Sequence, residues 1–266
     1  MTKTQKSKPD TLQHLESDVL SIWDLLFRIC FGFRISIFEF FLSSCLRGPE
    51  SMPQEQEIAK ILLEKQAVTL NIEEPYTFAS GIGSPIYCDN RRLIFFPHEW
   101  KVISQAFCQQ VEPFKPDVIA GTASGAIAWA AWVAEALEVP MVYIRKASKG
   151  YGQQQLIEGG NVQGKTVVVV EDLVSTGGSS LNAVNACREA GANILALVAI
   201  FTYEFEDVAQ KFHEAGSETR FLSNFTTLAQ VAAEHRLIKQ DQLAIIREWN
   251  QDPHGWGPKH GFPHKT

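Results

Sequence analysis

The stretch VVVVEDLVSTGGSS, residues 167–180, sets four valines in a row, then two acids, then a Ser/Thr/Gly turn with hardly a bulky side chain in it. A short continuous apolar run bounded by turn residues reads as a strand buried on both faces, the habit of parallel sheets covered by helices. Directly beyond it, GSSLNAVNACREAGA carries helical spacing. Strand, loop and helix in that order bring Ser175 through Ser180 to a helix N-terminus. Free backbone N–H groups and the helix dipole favour an anion there, and glycines let the backbone approach it closely. The two acids pose the difficulty, because carboxylates repel phosphates. Either Glu171 and Asp172 are structural, or they hold another part of the ligand. Lying a few residues upstream, they sit one ribose away from the phosphate loop, and carboxylates are good acceptors for vicinal hydroxyls.

The flanks repeat the same grammar. DVIAG reads as a short buried strand, AIAWAAWVAEAL as a helix, PMVYIR as a second strand, KTVVVVED as the third and NILALVAIFTY as the fourth. Such alternation predicts an α/β fold, a parallel sheet flanked by helices with its ligand crevice at the strands' carboxyl ends. Upstream, EQEIAKILLEKQAV and WKVISQAFCQQV carry helical spacing, and YTFASGIGSPIYCDNRRL between them reads as loop and edge strands. Two short helical patterns near 226–236 and 240–250 precede a Pro/Gly/His-rich tail expected to fray from about residue 253. GGNVQGKT, 159–166, fits the pattern GxxxxGK[ST]. A P-loop needs a strand before its glycines and a helix after them, whereas here a strand follows Thr166 directly. The segment reads as a hairpin turn leading into that strand.

With 266 residues, 45% apolar and 20% charged, the chain has room for one catalytic domain and a small appendage. A net charge of -6 argues against nonspecific nucleic-acid binding, so any anion must be met by a local cluster. Cys30, Cys45, Cys88, Cys108 and Cys187 show neither CxxC nor metal-ligand spacing, a pattern that suits a reducing cytoplasm and no structural zinc. The apolar stretch 21–46 is interrupted by Asp24, Arg28, Arg34 and Glu39, so it does not span a membrane, and it lacks the cleavage site of a signal peptide. Residues 1–51 are expected to lie outside the core. They read as a loosely packed extension, an amphipathic helix for a partner or membrane surface, or an added leader, with the domain running over 52–266.

Two further segments bear on chemistry. RKASKGYGQQQLIEG, 145–159, gathers Arg145, Lys146 and Lys149 in an otherwise acidic chain beside Gly150, Gly152 and three glutamines. It reads as a flexible cationic lid, and cations in a closed, water-poor site stabilise a departing anion far better than in bulk water. GTASGAIA, 121–128, is a strand-to-helix turn of small residues suited to close approach of backbone amides.

The segment 167–180 resembles the signature by which type I phosphoribosyltransferases bind 5-phosphoribosyl 1-diphosphate (PRPP). TFASGIGSPIYCDNR, 77–91, is similar to the N-terminal substrate segment of the orotate phosphoribosyltransferases, and 145–159 to their mobile catalytic loop. The likeness covers residues 54 to about 252. It implies the type I phosphoribosyltransferase-like fold with a small N-terminal hood on the substrate side. It implies Mg²⁺-dependent transfer of ribose 5-phosphate from PRPP to orotate, with no dedicated protein ligand for the metal. The implied assembly is a homodimer whose lid reaches across the interface. Arg145, Lys146 and Lys149 become the catalytic cations. Tyr151, Glu171, Asp172, Leu173, Val174, Ser175, Thr176, Gly177, Gly178 and Ser179 complete the PRPP site, while Ser175 and Phe78 meet orotate.

The chain also departs from its relatives. Ala79 and Gly83 stand where many carry a lysine, a contact then missing or supplied by Arg91 or Arg92. Gly150-Tyr151 replaces an acidic residue followed by histidine, and Tyr203 lies near the place of an arginine that in some relatives meets the orotate carboxylate. That carboxylate is then expected to be met by loop amides with the Ser175 hydroxyl.

Overall fold

A computed structural model describes residues 52–78, 81–146 and 156–262. In chain order these form α1 (Gln54–Glu64), β1 (Val68–Leu70), β2 (Tyr76–Thr77), β3 (Gly83–Ser84), β4 (Ile86–Cys88), α2 (Pro97–Val111), β5 (Val118–Thr122) and α3 (Ile127–Ala136). There follow β6 (Met141–Ile144), β7 (Ile157–Glu158), β8 (Thr166–Val174), α4 (Gly178–Glu189), β9 (Asn193–Thr202) and α5 (Glu206–Glu214). The chain closes with β10 (Glu218–Asn224), α6 (Phe225–Glu234), α7 (Gln240–Gln251) and α8 (Pro253–Lys259). Short 3₁₀ turns occupy Asn90–Phe95 and Glu112–Phe114.

The valine run becomes the middle of a six-stranded sheet ordered β10-β9-β8-β5-β6-β7. All neighbours are parallel except β7, which runs antiparallel to β6. Successive side chains of a strand point to opposite faces. Val168 and Val170 accordingly join the core built by α2 and α3, with Phe107 and Trp129. Val167 and Val169 join the core on the other face, with Val184 and Cys187 of α4. All four valines are fully buried, each contributing roughly 1.5–3 kcal/mol.

Winding direction decides where the site lies. From β5 the chain steps to β6 on one side and then returns to place β8 on the other. The loops leaving β5 and β8 part at this reversal, opening the crevice in which ligands of open α/β sheets sit. Two antiparallel pairs, β1 with β4 and β2 with β3, make up the hood built from the segment before residue 90.

Four differences from the sequence reading have physical causes. The 159–166 turn is not a hairpin, because β7 pairs with β6 and the chain must cross to reach β8 on the far side of β5. No helix follows Thr166, so a P-loop is absent as expected. β8 does not stop at its acids but continues to Val174, which pairs with Thr202 and is completely buried. Its side chain belongs to the core and does not line the cleft, against the expected contact of Val174 with PRPP.

The span between residues 204 and 225 offered no pattern, yet α5 and the edge strand β10 form there. Val208 and Phe212 of α5 are buried, while β10 reads ETRFLSN, too polar to announce a strand. The tail, finally, is helical rather than frayed from 253. Asp252 accepts a hydrogen bond from Gly255 N at 2.9 Å, Pro253 takes the first helical position, and Trp256 is 1% exposed. One buried indole outweighs the helix-breaking composition around it.

Candidate active site

Strand alternation separates the two acids. Glu171 turns inward and is 5% exposed. Its Oε1 accepts from the Thr122 hydroxyl and from Asp172 N at 3.0 Å, and its Oε2 accepts from the Ser180 hydroxyl at 3.0 Å. Burial above all, and then the neighbouring Asp172 carboxylate, push the Glu171 pKa up to about 8. Asp172 faces the crevice and lies against Gly125 of the turn after β5. A Cβ on Gly125 would stand 2.1 Å from Asp172 Oδ2, so glycine alone leaves room for the carboxylate. The Asp172 carbonyl accepts from Asn90 Nδ2 at 2.6 Å, which ties the hood segment to the end of β8.

The loop after β8 then turns through Gly177, whose φ of +77° suits glycine. Phe212 and Val208 of α5 pack beneath it, 3.2 and 3.4 Å from where a Cβ would be. No side chain caps α4, so the amides of its first turn remain available to an anion. Lys211 adds a cation at the rim, donating to Thr176 O at 3.3 Å and pairing with Asp207 at 2.5 Å.

These pieces surround a cleft of about 450 Å³. Thr122, Ala123, Ser124 and Gly125 form one wall, Ser175, Thr176, Gly177 and Ser179 another, with Asp172, Arg145 and Lys146 between them. The Ala123–Ser124 peptide is cis. A second cavity of about 850 Å³ shares Cys88, Leu173, Ser175 and Thr176 with the first. Its remaining lining combines the aromatic Phe78, Tyr87, Tyr203 and Phe205 with the polar Glu206, Asp207, Gln210, Asn250, Gln251 and His254. Trp249 backs this wall. Fully buried, it meets Tyr203 at 5.5 Å, Phe205 at 5.7 Å and Phe78 edge-on at 6.3 Å between ring centroids. Its Nε1–H donates to Gly83 O at 3.2 Å. A polar, amide-rich cleft thus adjoins one that carries four aromatic rings.

The phosphoribosyl transferase domain model matches residues 101–223. The orotate phosphoribosyltransferase of Coxiella burnetii is 44% identical over 209 residues, covering 78% of this chain and 100% of that protein. The chain belongs to the orotate phosphoribosyltransferase family. Among solved structures, the UMP synthase of Leishmania donovani matches 74% of this chain and 42% of its own, at 26% identity and a TM-score of 0.65. The orotate phosphoribosyltransferase from Aeropyrum pernix covers 68% of this chain and 99% of its own, with a TM-score of 0.59 and 24% identity. The latter supports the fold, which is the parallel α/β arrangement expected of the family.

Within this family frame, the residues expected at the site divide by location. Arg145, Lys146, Glu171, Asp172, Leu173, Ser175, Thr176, Gly177 and Ser179 line the first cleft, whereas Val174 and Gly178 do not. Phe78 lines the second cavity, and Ser175 is shared by both. Arg145 also pairs with Glu158 at 3.6 Å. Lys149 and Tyr151 lie outside the described residues. Of the two arginines proposed to replace a missing lysine, Arg91 borders the cleft. It is paired with Asp89 at 2.6 Å, which holds the Asp89 carboxyl below its usual range. Arg92 instead reaches Gln66 at 3.3 Å.

Sequence reasoning placed the 121–128 turn and Ser180 at the site without finding their partners Asp172 and Glu171, and it missed the tie made by Asn90 and the contribution of α7. Strand alternation at 171–172 could have found the inward turn of Glu171, since adjacent strand side chains point to opposite faces.

Proposed function

We propose that this chain transfers ribose 5-phosphate from PRPP to N1 of orotate, giving orotidine 5'-monophosphate and diphosphate. The observation that carries the reading is the meeting of two unlike cavities at Ser175, one amide-rich and bordered by cations, the other walled by aromatic rings. The loop 175–179 takes the 5'-phosphate at the N-terminus of α4, and Asp172 accepts from the ribose hydroxyls. The 122–125 turn, with Arg145 and Lys146, takes the diphosphate. Orotate lies flat against the aromatic wall, its carboxylate toward the Ser175 hydroxyl and loop amides. As its deprotonated N1 forms a bond to C1', the C1'–O bond breaks and diphosphate leaves with the electron pair. Lys149, carried by the lid, joins Arg145 and Lys146 in neutralising that charge, an effect concentrated in the transition state.

Mg²⁺ fits this donor set. Among the described residues no group of three or more His, Cys, Asp or Glu side chains comes together to hold a metal. A hard cation held chiefly by diphosphate and ribose oxygens and its own waters needs no such group, and the half-buried Asp172 is the carboxylate that would face it. When bound, it supplies charge neutralisation to the leaving diphosphate.

A homodimer is the assembly that the family likeness favours, and sedimentation reads it directly. Free Cys88, Cys108 and Cys187 suit a reducing cytoplasm, and among the described residues no helix is long and apolar enough to cross a membrane.

The deciding assay follows the loss of orotate absorbance with PRPP and Mg²⁺, in the full chain and in a chain beginning at Met52. Orotate is consumed by both, and chelation of the metal stops the reaction. Failure of either chain to consume orotate, with a purine base or uracil consumed instead, would overturn the choice of base. Loss confined to the shorter chain would return residues 1–51 to the catalytic unit.

A further inference from the structure

The transfer requires a base held in one cavity to meet C1' of a ribose held in the other, so the reacting atoms align only if the hood and the end of β8 keep one spacing. Two residues at the exit of the hood are placed to set it. Cys88 ends β4 and lines both cavities. Asn90, two residues on, is 1% exposed and uses both ends of its amide at this junction. Its Nδ2 donates to the backbone O of Asp172 at 2.6 Å, and its Oδ1 accepts from Cys88 Sγ at 3.4 Å. We propose that Asn90 is a positioning residue: through Cys88 on the base side and the Asp172 peptide on the ribose side, it holds the two substrates in register for bond formation. This rests on the reading of the substrates as PRPP and orotate.

The chemistry of the groups fixes the direction of the relay. A carbonyl oxygen can only accept, so the amide nitrogen must face Asp172, and the amide oxygen is left for the thiol. Burial above all, followed by the Asp172 and Asp89 carboxylates, raises the Cys88 thiol well above its usual pKa, so it stays S–H and can donate. The relay leaves the Asp172 carboxylate, lodged against Gly125, free for the ribose. It spans 82 residues of sequence and joins parts of the chain that share no strand pairing, since the hood pairs are separate from the six-stranded sheet. A shift of about 1 Å between hood and strand would leave each substrate bound yet take N1 off the line of attack, lowering the rate on the order of a hundredfold.

The test uses the full chain, with steady-state kinetics and calorimetric titration of two probes. Ribose 5-phosphate fills only the sugar-phosphate side, and orotidine 5'-monophosphate fills both. Asn90→Ala lowers kcat roughly a hundredfold with KM for PRPP within about threefold of the wild type. It binds ribose 5-phosphate as the wild type does, at full stoichiometry, but loses about tenfold in affinity for orotidine 5'-monophosphate. A merely loosened fold would lose sites, or both affinities, rather than this difference. Cys88→Ala moves the same quantities in the same direction, and Cys88→Ser, which keeps a donor for Oδ1, recovers most of that loss. Should Asn90→Ala fail to fold, the two Cys88 variants read the relay by themselves, and a serine no better than the alanine ends the proposal. Weakened ribose 5-phosphate in Asn90→Ala would make Asn90 a ligand contact and end it too. A wild-type protein that binds neither probe overturns the reading of the substrates and the relay with it. A wild type that binds both, beside an Asn90→Ala variant with unchanged kcat and affinities, overturns the relay alone.

Discussion

Gly125→Ala lowers kcat/KM for PRPP by roughly two orders of magnitude, equivalent to about 2.7 kcal/mol, while the protein stays folded. The new methyl would stand 2.1 Å from Asp172 Oδ2, 2.5 Å from its Cγ and 2.8 Å from Oδ1. No real Cβ tolerates such contacts. Either the carboxylate swings out of the crevice or the 122–125 turn retreats, and each movement spoils the ribose or diphosphate grip. A charged hydrogen bond of this kind is worth about 1.5–3 kcal/mol, and displaced loop amides add to the loss. Gly125 is absent from the glycines with positive φ, so alanine fits its backbone and the melting temperature stays near that of the wild type. If the damage runs through the carboxylate, adding Gly125→Ala to Asp172→Ala costs little more, a non-additivity that steady-state kinetics on the four proteins reads directly. Wild-type kinetics in the single variant would show that Asp172 does not act from the position described.

Trp249→Ala destabilises the fold by about 3–5 kcal/mol, the range for deleting a fully buried large aromatic residue. Its ring is the hub of contacts with Phe78, Tyr203, Phe205 and Phe225. The cost extends beyond stability, because the indole N–H holds Gly83 O in the hood and the ring backs the aromatic wall. Measured at a temperature where the variant is still folded, KM for orotate rises more than KM for PRPP. Trp249→Phe retains most of the packing and loses one hydrogen bond, about 1 kcal/mol. Denaturant midpoints and both KM values separate the two contributions. Equal changes in both KM values would remove α7 from any special role in holding the base.

These two positions show what the sequence could and could not say. The parallel sheet was legible because burial on both faces writes itself as an unbroken apolar run, as in Val167–Val170. The phosphate loop was legible because its small residues stand between a strand and a helix. Edge strand β10 was not, since a strand with one exposed edge can afford Glu218, Arg220 and Asn224. The tail misled by composition: its glycines and prolines speak for a loop, but Gly257 is buried and packs close to Gly83 of the hood. Gly83 marks the same effect from the other side. Read in the sequence it was a missing lysine; in the fold, the backbones of Gly257 and Phe262 lie 3.5–3.6 Å from where its Cβ would begin. Asp172 and Glu171 look alike in a string of letters, and only Thr122 and Ser180, from 49 residues upstream and 9 residues downstream, tell them apart.

The base-side wall has a consequence for how the molecule is made. It joins Phe78 and Gly83, near the start of the domain, to Trp249, Asn250 and His254, near its end. The phosphate loop and the turn after β5 have all their supports once α5 has emerged from the ribosome. The aromatic chamber does not, and must wait for α7 and the start of α8. A nascent chain, or one trimmed by a carboxypeptidase past α7, therefore holds the apparatus for a sugar phosphate without the means to choose a base. Recognition of the two substrates is separated along the chain and in time, and selectivity for the base follows the grip on the sugar phosphate.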